Sequence, residues 1–113
     1  MSRIYKILAR AEWEQARAAG RFEGSGIDLQ DGYIHFSTAA QAQETARRHF
    51  AGREELVVLE VEADDLGVAI RWESSRGGDL FPHLYGALDV GQVRGVTEAP
   101  LGGDGVPRLG SLA

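Results

Sequence analysis

Residues 33–52 read YIHFSTAAQAQETARRHFAG, and the way this stretch is parsed decides the fold. The first five residues alternate. In an extended chain Ile34 and Phe36 fall on one face, while Tyr33, His35 and Ser37 fall on the other. Thr38, with Gln41 three residues later, has the spacing of a capping box, in which two side chains satisfy backbone N–H groups at a helix start. Good helix formers follow as far as a stop near Gly52. A strand therefore feeds a helix, and its polar trio shares one side of the sheet.

Toward the N-terminus, Arg3 to Leu8 is short and rich in Ile and Tyr, which predicts a strand. Ala9 to Ala19 predicts a helix, with Trp13, Ala16 and Ala19 at helical spacing and Gly20 as its stop. Gly24, Gly26, Asp28 and Asp31 make 20–32 an irregular loop, with Asp31-Gly32 turning into the next strand. Toward the C-terminus, Glu55 to Glu62, Val68 to Glu73 and Val90 to Thr97 read as strands, the first two joined by a turn at Asp64-Asp65. After Gly52 no second long helical pattern supplies the crossovers that parallel pairing needs. The expectation is an α+β fold: a compact single domain with a mixed or mainly antiparallel sheet and two main helices. Residues 1–98 form the expected globular domain. Residues 99–113, with four Gly and two Pro, read as a loosely attached tail.

With 113 residues, 43% of them hydrophobic and 26% charged, the chain suits one ordinary core. It has no apolar run near the roughly 18 residues that a membrane span needs, and its first residues lack the pattern of a signal peptide. The expectation is a soluble, unprocessed, cytoplasmic protein. Cysteine is absent, which excludes disulfides, thiolate metal sites and a Cys nucleophile. A net charge of −5 argues against broad nucleic-acid binding while leaving room for a local pocket that holds one phosphate. Arg47, Arg48 and Arg53 fit the solvated end of a helix better than a nucleic-acid patch.

The richest chemistry lies in residues 71–85, RWESSRGGDLFPHLY. Arg76 before Gly77-Gly78 can present a guanidinium and backbone N–H groups to phosphate, or can simply sit on a tight turn. Glu73 can stabilise positive charge at a sugar carbon, or can pair with Arg71 or Arg76. His83 and Tyr85 face one side of an extended chain, with Tyr85 offering a ring and a hydroxyl; the alternative is a pair tying the sheet edge. His35 and Ser37, beside a helix start at Thr38, suit ligand hydroxyls or an anion, against a half-buried His and plain helix capping. Trp72 and Phe81 read as pocket walls, and His49 as a partner of a helix dipole. No HxH, HExxH or Cys partner completes a ligand set for the three His, so no metal site is expected, and Ser37 lacks a GxSxG elbow.

Three segments, IYKI, DGYIHFSTAAQ and RWESSRGGDLFPHLYG, together resemble the bacterial family known as domain of unknown function 952 and span most of residues 3–97. More distantly, that family resembles the ADP-ribosyltransferase-like fold, which includes NAD-dependent transferases and RNA 2′-phosphotransferases. The resemblance implies Tyr5-Lys6 on the first strand of a nicotinamide cleft, 33–37 in a second motif and FPHLYG in a third. The usual third-motif glutamate is not evident, and His83 stands near its place. The resulting expectation is a protein that binds NAD or a related phosphorylated nucleotide, with transfer or hydrolysis at the ribose. In it His35, Ser37, Thr38, Arg76 and Tyr85 would bind the ligand, and Glu73 or His83 would stabilise the transition state. NAD would be a substrate rather than a resident cofactor. The alternative is a noncatalytic binding module for a small anionic metabolite.

Overall fold

Two strands without polar alternation set the architecture, because a strand that is apolar on both sides must be covered on both faces. In the computed structural model, which describes residues 2–112 (Arg76 by its backbone alone), the chain runs β1 (Arg3–Ala9), α1 (Arg10–Ala19), β2 (Arg21–Phe22), α2 (Gly26–Asp31), β3 (Ile34–His35), β4 (Ser37–Thr38), α3 (Ala39–His49), β5 (Leu56–Glu62), β6 (Ile70–Ser75), β7 (Asp79–Leu84), β8 (Leu88–Asp89) and β9 (Val93–Glu98). Turns of 3-10 helix occupy Ala63–Ala69, Arg76–Gly78 and Val90–Gln92. β1 and β5 are the two apolar strands. They pair along their whole length, from Arg3↔Glu62 to Ala9↔Leu56, at the centre of a sheet ordered β4-β1-β5-β9.

The two faces of this sheet belong to two cores. Ile4, Leu8, Val57, Leu59 and Val61 pack with Trp13 of α1 and with Ile34, Phe36 and Leu84. Tyr5, Ile7, Leu56 and Val58 pack with Ala42 and Ala46 of α3. Each buried aliphatic side chain of this kind contributes about 1.5–3 kcal/mol. A second sheet, ordered β3-β7-β6, and a two-stranded ribbon of β2 and β8 complete the fold. Every paired strand among the described residues runs antiparallel. No helix among them is long and apolar enough to cross a membrane.

Several local expectations change. The stretch 20–32 is not simply a loop, since it contains β2 and the six-residue α2, whose end is Gly32 in the left-handed conformation (φ 88°). The strand expected over 33–37 is split at Phe36. Its first half pairs with β7 and its second with β1, so His35 and Ser37 belong to different sheets. Phe36 N–H donates to the Pro82 carbonyl across the break, at 3.0 Å. The Thr38/Gln41 capping box is present, and α3 ends at His49. Residues 99–112 are tied down rather than loose. Ala99 and Leu109 are buried in the α3-side core, and the Gln43 amide donates to the Pro107 carbonyl and accepts from Leu109 N–H.

Candidate functional site

Alternation along β1 puts Lys6 on the same face as Ile4 and Leu8, where an ammonium needs a partner. Asp28 supplies one. Lys6 Nζ lies 2.8 Å from Asp28 Oδ2, with the side chains 6% and 1% exposed. α2 exists locally to deliver this carboxylate: Ser25 N–H donates to Asp28 Oδ2 at 2.8 Å. Gly24 precedes it at φ +123°, and a Cβ there would stand 2.8 Å from Asp28 Cβ, so the close approach requires glycine. Burial pushes the Asp28 carboxyl up, but His35 and the Lys6 ammonium together overcome this and hold it well below the ordinary carboxylate range. Burial draws Lys6 down from its usual value, with Asp28 opposing.

Asp28 also fixes His35. Its Oδ1 lies 2.6 Å from His35 Nδ1 and accepts from the His35 backbone N–H at 3.1 Å. The other ring nitrogen, Nε2, lies 3.0 Å from Asp31 Oδ2. Across the β3–β7 pairing His35 is in register with His83, and their ring centroids are 5.4 Å apart. The His83 Nδ1 donates to Glu73 Oε1 at 2.8 Å, and the Tyr85 hydroxyl donates to the same oxygen at 2.7 Å. These two bonds, that of His83 foremost, lower the Glu73 carboxyl. The bond to Glu73 in turn raises the Tyr85 phenol. Tyr33 stacks on His83 at 4.2 Å and lies 4.6 Å from the His35 ring.

Both imidazoles line a cleft of about 1000 Å³ between the two sheets, His35 with its side chain 31% exposed and His83 nearly buried at 4%. β1 and β4 contribute Tyr5, Lys6, Ile7 and Ser37, α2 contributes Gly26 and Ile27 beside Ser25, and the second sheet contributes Phe81 and Ser75. The C-terminal end of α3 and the turn beyond it bring Arg48, His49, Phe50 and Arg53. The cleft thus combines an apolar floor, paired imidazoles and a basic rim. No group of three or more His, Asp or Glu among the described residues could hold a metal ion.

Of the ligand-binding and catalytic residues expected from the sequence, His35, Ser37 and His83 line this cleft, as does Phe81, expected as a pocket wall. The Ser37 hydroxyl is already bonded to that of Thr45 at 2.9 Å. Thr38 caps α3, and Glu73 and Tyr85 stand behind His83 rather than in the lining. The Tyr85 ring is covered by the Arg71 guanidinium, 4.7 Å from its centroid. The side chain of Arg76 lies outside the described residues. Sequence reading missed Lys6 as a charged partner, Asp28 and Asp31. The Ser25-x-x-Asp28 spacing was the available signal for α2.

A family model described as "Protein of unknown function (DUF952)" matches residues 7–96. The X-ray crystal structure of protein CC0527 from Caulobacter crescentus is 56% identical, covers 96% of each chain and superposes with a TM-score of 0.94. The solution NMR structure of CC0527 is also 56% identical, with 97% of this chain and 95% of that one covered and a TM-score of 0.87. No curated protein matches the chain.

Proposed function

The chain belongs to the DUF952 family, and we propose that it binds NAD or a related phosphorylated nucleotide in the cleft between its two sheets, with transfer or hydrolysis at the ribose. One observation carries this reading: a cavity of about 1000 Å³ places His35 and His83 in the same lining as Arg48, His49 and Arg53. That volume suits a ligand of dinucleotide size, since ligand sites commonly span about 300–1,000 Å³. The basic rim attracts phosphate, the imidazoles suit ribose hydroxyls, and Phe81 and Phe36 offer apolar surface to a base. In this reading the cleft is the counterpart of the dinucleotide cleft of the ADP-ribosyltransferase-like fold, with Tyr5 and Lys6 on its first strand.

Glu73 favours a second reading. It lies outside the cleft lining and its Oε1 already accepts from His83 and Tyr85, so it is poorly placed to support an oxocarbenium ion directly. A noncatalytic module for a small anionic metabolite needs no such carboxylate. Parallel titrations with NAD⁺, ADP-ribose and a 2′-phosphorylated nucleotide, followed by amide NMR, test both readings. Shifts gathered at Lys6, His35, Ser37, His83 and Arg53 support the cleft, and product formation separates enzyme from module. If these amides stay unmoved by all three ligands at millimolar concentration, the nucleotide reading fails.

A further inference from the structure

We propose that His83 and His35 act as a general base and general acid pair on a ribose-linked phosphodiester, with a 2′,3′-cyclic phosphate as the simplest substrate of the class. This inference deepens the nucleotide reading and rests on it. Its ground is a symmetry that simple capping or core packing does not require. Two imidazoles stand opposite each other on adjacent antiparallel strands, each is held through Nδ1 by a carboxylate, and both line one cleft. The carboxylates lie at 2.6 Å for His35 and 2.8 Å for His83. Tyr33 packs against both rings and fixes their spacing.

The partners of the ring nitrogens assign the roles. His83 Nδ1 donates to Glu73, which leaves Nε2 as the lone-pair nitrogen and makes His83 the base. A carboxylate oxygen lies at each nitrogen of His35, and a carboxylate can only accept, so in the acid form proposed for this ring both nitrogens carry protons. Its Nε2 proton is the one that can be delivered. Asp31, 36% exposed, covers that nitrogen in the free protein, and a substrate oxygen takes its place on binding.

In the reaction His83 Nε2 removes a proton from water as the water oxygen bonds to phosphorus. The phosphorus bond to one ribose oxygen breaks, and the electron pair on that oxygen takes the proton from His35 Nε2. The product is a ribose phosphomonoester with one free hydroxyl, and proton exchange with solvent resets both rings. Lys6, buried against Asp28, is a positioning residue for His35, as Glu73 is for His83.

Adenosine 2′,3′-cyclic phosphate added to the full chain provides the test, with ³¹P NMR to follow ring opening and amide NMR to follow binding on the same samples. The expected result is monoester formation, lowered by about 10²-fold or more in His35→Asn and in His83→Asn. Binding should persist in the variants. Amide dispersion reports whether each variant folds, and His35→Asn, being half-buried, carries the test if His83→Asn does not. Binding without ring opening in the wild-type protein overturns the acid–base pair while leaving the nucleotide cleft standing. Absence of binding by this and the other nucleotides overturns both. Ring opening at an unchanged rate in the folded variants also overturns the pair.

Discussion

Lys6 and Asp28 form a salt bridge that is almost entirely out of water, with Nζ 2.8 Å from Oδ2 and side-chain exposures of 6% and 1%. The contact joins the central sheet to α2, so it holds one wall of the cleft to its floor. Breaking such a pair from one side leaves a buried charge without compensation, at a cost of about 3–5 kcal/mol. Lys6→Met is therefore expected to lower stability by about that amount. In a double-mutant cycle with Asp28→Asn, measured by urea unfolding, the two losses should be strongly non-additive. Additive losses would mean that the residues act independently.

The same carboxylate gives stability a pH dependence of known sign. In the folded protein Asp28 titrates below its ordinary value of 3.8, so its contribution is fully present above that pH and is lost as pH falls toward the folded value. The urea midpoint of the wild-type protein should drop below about pH 4 more steeply than that of Asp28→Asn. Parallel curves would assign acid unfolding to other carboxylates.

Leu109 is 2% exposed and packs with Tyr5, Ala42, Ala46 and Leu56, so the last segment closes the core over α3. Leu109→Ala should cost about 2–5 kcal/mol, read from thermal or urea unfolding. A change within 0.5 kcal/mol, the range usual for surface sites, would show this segment to be dispensable.

That segment also shows where the sequence stops being informative. β1, α1, α3 and β5 were legible because each carries its own signal: an apolar run, a helical period or a cap. The burial of Leu109 depends on Gln43, 66 residues away, and no local pattern announces such a contact. Asp28 reads as a loop residue for the same reason. Its partner Lys6 lies 22 residues away, and an aspartate among glycines ordinarily signals a turn. The break at Phe36 was invisible because alternation assigns faces but not partners. Two pairs of residues on either side of it join different sheets. His35 and His83 were each legible as polar residues on a strand, whereas their mutual register was not.

Glu73 orients His83 and restrains Tyr85 through a single carboxylate oxygen, so one substitution should register at both rings. Glu73→Gln replaces an acceptor that stabilises the neutral phenol with a weaker one. The Tyr85 ionisation, raised above its ordinary 10.0 chiefly by this bond, should move back down. Tyrosine Cζ resonances followed through the alkaline titration would record it. At neutral pH the His83 ring ¹⁵N shifts should change from a predominant Nδ1–H form to a mixture, since the amide can also donate to the ring. If Tyr85 moves and His83 does not, Glu73 serves the sheet edge alone. If both move, the carboxylate sets which nitrogen of His83 faces the cleft, and a ligand that needs the Nε2 lone pair should bind the variant more weakly.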